Sequence, residues 1–112
     1  MEYQLGRGET FQSLINKDTA VVGLAVFVPP TTTTTTRKVG WAYHKGVIAP
    51  DAILVEFQVS DDNSHWTTID TYNTPGTDTF RQVDTGIGRW VRLNIQAITI
   101  GSGDPVNGYI YG

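Results

Sequence analysis

The chain has 112 residues, a length that fits one domain with a single core. It contains no cysteine, which excludes disulfides, thiolate chemistry and zinc sites built on cysteine. The net charge is −3, with eight basic residues scattered among eleven acidic ones. Nucleic-acid binders concentrate a basic surplus on one face, so a nucleic-acid partner is not expected.

Alternation of apolar and polar residues dominates the chain, and turn residues divide it into short segments. In chain order, the predicted strands cover residues 10–15, 20–28, 39–44, 53–60, 65–72, 78–84, 89–97 and 107–111. Gly-, Pro- and Asp-containing turns separate them, and only residues 9–16 are ambiguous between strand and helix. Short strands at this spacing are typical of a sandwich or barrel. We therefore predict an all-β, antiparallel β-sandwich of jelly-roll type.

The chain divides into two predicted parts. Residues 20–112 are expected to form one sandwich domain, and residues 1–19 either an arm that reaches a partner or an ordinary first strand. The anchors of such an arm would be Tyr3, Leu5 and Phe11. The sequence shows no signal peptide, and its longest apolar stretch is too short to cross a bilayer. We expect a protein that is made in the cytoplasm, is not secreted and has no membrane partner.

Two segments depart from the alternating pattern. Residues 20–28 are apolar on both faces, which predicts either a central strand or a strand covered by another chain. Residues 31–36 are six threonines after two prolines, with no pattern that would fix a strand register. We interpret them as an extended, exposed loop, with an ordered binding loop as the alternative.

The polar residues form no recognisable reactive centre. His44 and His65 lie in no known catalytic motif and are expected to be solvated or hydrogen-bonded. Residues 61–63 offer oxygen ligands that Ca²⁺ prefers, but the same Asp-Asp-Asn cluster is what a β-turn requires. We predict no enzymatic activity, no metal and no cofactor.

Aromatic residues are the remaining candidates for recognition. If Val91, Leu93 and Ile95 face the core, Trp90 and Arg92 face outward. Trp90 then either covers a sheet edge or contacts a protein or a sugar. The other aromatic candidates are Trp41, Tyr43, Trp66, Tyr72, Tyr109 and Tyr111.

Part of the sequence resembles a known ligand-binding domain. Residues 55–69 read VEFQVSDDNSHWTTI, and residues 89–95 read RWVRLNI. Because these two segments occur in this order, residues 53–97 resemble the second half of discoidin (factor 5/8 C-type) domains. The resemblance implies a jelly-roll sandwich that binds sugars or membrane lipids through loops at one end. Residues 1–52 do not match, and no ligand-binding residue of that family can be placed here.

The whole chain resembles small virion proteins of tailed bacteriophages. This similarity rests on the same two sequence segments and on the C-terminal GYIYG of residues 108–112. It implies a capsid decoration (cement) protein that binds the major capsid protein as a homo-oligomer, possibly a trimer, in the virion. The alternative is a carbohydrate-binding module of a tail or head fibre that recognises a host-surface glycan. The expected partner contacts are Tyr3, Leu5, Phe11, Trp90 and Arg92.

Overall fold

The structure, a computed structural model, describes residues 4–29, 37–86 and 88–112. Within these ranges the chain forms nine strands and no helix. The strands are β1 (Thr10–Lys17), β2 (Val21–Val22), β3 (Val26–Val28), β4 (Lys38–His44), β5 (Ala52–Ser60), β6 (Thr67–Tyr72), β7 (Thr79–Asp84), β8 (Arg89–Thr99) and β9 (Val106–Tyr111). The predicted all-β, antiparallel sandwich is confirmed.

Two antiparallel sheets pack against each other. The four-stranded sheet has the order β1-β9-β4-β7, and the five-stranded sheet has the order β2-β8-β5-β6, with β3 also paired to β8. The pairs are nested along the chain: β1 with β9, β2 and β3 with β8, β4 with β7, and β5 with β6. Every nested pair except the β5–β6 hairpin therefore joins segments that are distant in sequence.

The alternating residues of each strand form the core between the sheets. On β8, Val91, Leu93 and Ile95 are almost completely buried, as predicted. Trp41 is also fully buried, and its ring stacks on Phe57 with the ring centroids 6.0 Å apart. Full burial of one such side chain contributes roughly 1.5–3 kcal/mol. Trp41 is therefore a core residue and has no surface with which to stack on a sugar.

The apolar segment of residues 20–28 lies at a sheet edge, so its predicted central position is wrong. It breaks into β2, which pairs with β8, and β3, which pairs with β8 and on its other side meets, among the described residues, only the N-terminal segment at Gln4 and Leu5. Between them, Gly23 N donates to Leu93 O, whereas Leu24 N donates to Ser13 O on β1. A Cβ at Gly23 would lie 2.5 Å from Leu93 O. The chain thus contacts both sheets at Gly23 and Leu24 before β3 returns to β8, a close approach that only glycine allows.

The N-terminal segment belongs to the sandwich from its first described residue. Gln4 forms a parallel bridge to Phe27, and Leu5 N donates to Phe27 O at 2.8 Å. Leu5 is completely buried in the chain's own core, and Phe11 packs against that core from β1. The described part of residues 1–19 thus contains a first strand, and Leu5 presents no side-chain surface to a partner. Tyr3 lies outside the described residues, as do the six threonines.

Candidate functional site

The outer face of the five-stranded sheet carries the two strand residues singled out in the sequence. Since Val91 and Leu93 point into the core, Trp90, Arg92 and Asn94 lie on the opposite side of β8. The register of β8 with β5 places Arg92 opposite Gln58 and Asn94 opposite Glu56. We call this surface the Trp90–Arg92 face; it consists of Phe27, Glu56, Gln58, Trp66, Thr68, Trp90, Arg92 and Asn94.

Trp90 is half-buried against the neighbouring strand β3. It is in register with Phe27, and the two ring centroids lie 4.6 Å apart at an interplanar angle of 53°. Such tilted aromatic pairs stabilise by about 0.5–1.5 kcal/mol beyond the area that they bury. Trp90 thus faces outward, as predicted, and Phe27 fixes its position.

Arg92 is held at two points. Its guanidinium carbon lies 3.9 Å from the centroid of the Trp66 ring, and its Nε donates to Gln58 Oε1 at 2.8 Å. Partial burial lowers the pKa of Arg92, but an arginine side chain keeps its charge in proteins. Among the described residues, its two terminal nitrogens make no hydrogen bond. The face therefore presents a fixed, charged donor edge.

A network of polar side chains surrounds Arg92. Gln58 is 9% exposed, and its Nε2 donates to Thr68 Oγ1 at 3.2 Å and to Glu56 Oε1 at 3.4 Å. Asn94 Nδ2 donates to Glu56 Oε1 at 3.0 Å, and Thr68 Oγ1 donates to Glu56 Oε2 at 3.3 Å. Each of these side chains is restrained by a neighbour, so the face is ordered without a ligand.

The turn between β5 and β6 precedes Trp66. The Asp62 carboxylate accepts hydrogen bonds from Ser64 N, His65 N and Ser60 Oγ, all within 2.9 Å, and contacts His65 Nδ1 at 2.6 Å. The His65 backbone N–H, then its ring and the Ser64 N–H, hold the pKa of Asp62 well below its usual value. The Asp-rich cluster thus organises its own turn. Within the described residues, no group of three or more His, Asp or Glu side chains is placed to hold a metal ion.

An open pocket of about 320 Å³ lies beside this turn. It is lined by Val59, Ser60, Asp61, Asp62, His65, Thr67, Ile69 and Arg89. The Ser60 hydroxyl donates to Asp62 and not to His65, and the lowered pKa of Asp62 makes that carboxylate a weak base for activating a hydroxyl. Arg89 Nε pairs with Asp61 at 2.9 Å, which offsets the charge of Asp61 at the pocket rim.

A second surface, on the four-stranded sheet, was only partly anticipated from the sequence. Four rings from three strands touch in a row: Phe80 and Tyr111 at 5.3 Å, Tyr111 and Tyr109 at 6.4 Å, and Tyr109 and His44 at 4.9 Å between centroids. We call this row the aromatic strip. Gly40 underlies it, because a Cβ there would lie 2.7 Å from the Phe80 ring. Alternation along β9 indicates the two tyrosines, but the rings of β4 and β7 join them only through tertiary pairing.

A third surface is the exposed edge formed by β1 and β2. Ile15, Val22 and Leu24 are about half exposed, and Leu24 N bonds to Ser13 O. We call these three residues the apolar edge. Large apolar side chains that cluster on a surface often mark a contact with another protein.

Neither protein-family models, nor curated proteins, nor solved structures gave a match to this chain. Across the described ranges, no helix has the length and apolar character needed to span a membrane. The surfaces described above are therefore the basis for the functional proposal.

Proposed function

We propose that the protein is a non-enzymatic glycan-binding module, carried on a tail or head fibre of a tailed bacteriophage, that recognises a host-surface glycan. The observation that carries this proposal is the Trp90–Arg92 face. There, two tryptophans lie beside amide, carboxylate and guanidinium groups that are already held by hydrogen bonds. The phage context comes from the sequence resemblance.

Sugar recognition combines apolar stacking with directed hydrogen bonds. The faces of a sugar ring that carry C–H groups pack on aromatic rings, and its hydroxyls need both donors and acceptors. Trp90 supplies a ring that Phe27 holds in place, whereas Arg92, Asn94 and Glu56 supply donors and acceptors along the adjacent positions. Because these groups are fixed in advance, little conformational entropy is lost on binding.

The strand order supports a jelly-roll arrangement for this module. Nested antiparallel pairing, from β1 with β9 inward to the β5–β6 hairpin, is what results when a long hairpin is rolled into two sheets. In this arrangement the outer face of each sheet stays open to solvent. The Trp90–Arg92 face and the aromatic strip thus lie on opposite sides of the molecule.

A glycan array followed by calorimetry on the bound glycans tests the proposal. We expect Trp90→Ala to lower the affinity at least tenfold because it removes the stacking ring. Phe80→Ala is the matched control: it removes an exposed ring of the aromatic strip and should leave the affinity unchanged. Failure of the wild-type protein to bind any glycan would contradict the proposal. Loss of binding in the control variant alone would assign the site to the aromatic strip instead.

The second candidate function is capsid decoration by a homo-oligomer, possibly a trimer, that binds the major capsid protein. The apolar edge favours this candidate. Val22 lies on the two-residue strand β2, Leu24 lies two residues after it, and both side chains are about half exposed. Light scattering after size exclusion should then show an oligomer that Leu24→Glu dissociates. Val47→Glu is the control, because Val47 is 92% exposed in another loop. A monomeric wild-type protein that does not bind capsids would exclude this candidate.

A further inference from the structure

We propose that the glycan recognised by the Trp90–Arg92 face is acidic, and that the terminal nitrogens of Arg92 bind its carboxylate. This inference rests on the proposed glycan-binding function and specifies the class of ligand. It follows from how Arg92 is held, from which charges around it are already paired, and from what lies next to it on the sheet.

The orientation of the Arg92 guanidinium is fixed. Stacking on Trp66 restrains its plane, and the hydrogen bond from Nε to Gln58 Oε1 restrains its rotation within that plane. Gln58 is in turn held by Thr68 and Glu56. With Nε engaged, the edge that carries the two terminal nitrogens remains as the donor surface. This edge matches the two oxygens of a carboxylate.

The charge of Arg92 has no carboxylate partner in the described structure. Arg81 pairs with Asp70 at 2.8 Å, and Arg89 pairs with Asp61 at 2.9 Å. Glu56 is the nearest acidic residue on the face, but both of its oxygens accept hydrogen bonds from neutral side chains. A half-buried cation without a partner gains more from an incoming anion than a fully solvated one does.

The neighbours of Arg92 point to a sugar as the carrier of the carboxylate. Trp90 lies two residues away on the same side of β8, so a ring stacked on Trp90 can place an acidic substituent beside Arg92. Asn94 continues the row with an amide that can meet a hydroxyl. The negative charge of Glu56, opposite Asn94, disfavours a second anionic group at that end. The face therefore fits a sugar with one carboxylate better than a densely charged polyanion.

Matched pairs of acidic and carboxyl-reduced oligosaccharides test this inference. The probes are an oligosaccharide that carries a single uronic acid and a sialic-acid-terminated oligosaccharide, each compared by calorimetry with its carboxyl-reduced form. We expect the wild-type protein to bind one acidic form at least tenfold more tightly than its reduced form. Arg92→Gln should lower the affinity for the acidic form to that for the reduced form. Lys38→Gln removes an equal charge from the opposite sheet and should preserve the preference.

Two further measurements separate a specific carboxylate contact from general electrostatics or misfolding. Arg92→Lys keeps the charge but loses the planar donor edge, so it should lose most of the preference while its thermal unfolding midpoint stays near that of the wild type. A sulfated polysaccharide without carboxylates that binds as tightly as the acidic form would overturn the assignment to a carboxylate.

The two proposals fail in different ways. Equal affinity of the wild-type protein for the acidic and reduced forms would overturn the inference about Arg92 and leave glycan binding intact. Absence of binding to every glycan on the array would overturn the proposed function, and the inference with it.

Discussion

Trp66 and Arg92 meet across the central strand β5. The guanidinium carbon lies 3.9 Å from the ring centroid, although Trp66 precedes β6 and Arg92 belongs to β8. Both strands pair with β5, which supplies Gln58 beneath the contact. This contact joins the β5–β6 hairpin to β8, and it brings Trp66, which follows the turn, into the Trp90–Arg92 face.

Removal of the Trp66 ring should therefore release Arg92. A cation–π contact of this kind contributes about 0.5–2 kcal/mol, depending on how far it is desolvated. We expect Trp66→Ala to broaden or shift the Arg92 Nε–H resonance in NMR spectra and to weaken binding of the acidic glycan. Trp66→Phe keeps an aromatic face and should retain most of both properties. An unchanged Nε–H resonance in Trp66→Ala would show that Gln58 alone fixes the guanidinium.

The structural features that the sequence predicts correctly are those set by local interactions. The outward position of Trp90 and Arg92 follows from alternation along one strand, and the β5–β6 hairpin follows from its own turn. The burial of Trp41 was not predictable in this way, because its side of β4 is decided by the packing of one sheet on the other. A tryptophan in an alternating strand is equally compatible with either face.

The features that were missed depend on pairing between distant segments. The aromatic strip exists because β7 and β9 both flank β4, which brings Phe80 and Tyr111 together over Gly40. The break at Gly23 likewise depends on hydrogen bonds to Leu93 and Ser13, which no local pattern encodes. Apolar residues on both sides of a segment indicated burial or contact, but not that the segment would form hydrogen bonds to both sheets.

Ser13 joins the two sheets at this break, and its hydroxyl should matter for stability. It is 2% exposed, donates to Leu24 O at 2.8 Å and accepts from Leu93 N at 3.1 Å. Ser13→Ala leaves a buried N–H without a partner, which costs about 1–3 kcal/mol. Urea unfolding measures the loss. Ser102→Ala, in an exposed turn, is the control and should be neutral; equal stability of both variants would mean that another group satisfies Leu93 N.

Gly108 has no room for a side chain. A Cβ there would lie 2.6 Å from Leu93 Cδ1 and 2.9 Å from Leu14 Cδ1. Gly108→Ala should destabilise the protein by about 1–3 kcal/mol through overpacking, and the additional change Leu14→Val should recover part of the loss. Gly76→Ala is the matched control, because a Cβ at Gly76 meets nothing within 4 Å. A neutral Gly108→Ala would show that the two leucines adjust without strain.

Arg37 places a charge in the interior at the cost of stability. It is 5% exposed, and its Nη2 atom has no hydrogen-bond partner among the described residues. Burial first, and then the charge of Arg7, lower the pKa of Arg37. Replacing this buried charge, which has no carboxylate partner among the described residues, with an apolar side chain of similar length should raise the free energy of unfolding by about 1–4 kcal/mol.

Thermal and urea unfolding of Arg37→Met tests this expectation. Lys38→Met serves as the control, because Lys38 is exposed and its removal should change stability by less than about 0.5 kcal/mol. A destabilised Arg37→Met variant would contradict the prediction and would indicate that the aliphatic stem and charge of Arg37 stabilise this end of the sandwich.

Tyr43 should make the fold sensitive to alkaline pH. It is 1% exposed, and its hydroxyl donates to Pro75 O at 2.9 Å. Burial, followed by the nearby Asp78 and Tyr72, raises the pKa of Tyr43 to about 12. An unfolded tyrosine titrates near pH 10, so between about pH 10 and 12 the folded state holds a proton that the unfolded state releases.

The sign of the effect follows from this difference. The contribution of Tyr43 is complete below about pH 10, and roughly 2–3 kcal/mol is lost as pH rises through the folded pKa. Urea unfolding of the wild type and of Tyr43→Phe, measured at several pH values between 8 and about 12, isolates the contribution of Tyr43 to the free energy of unfolding. The other tyrosines are common to both proteins. The variant lacks one hydrogen bond, so it should be about 1 kcal/mol less stable at pH 8. It should then lose less stability than the wild type at high pH, and parallel curves for the two proteins would assign the alkaline transition to other groups.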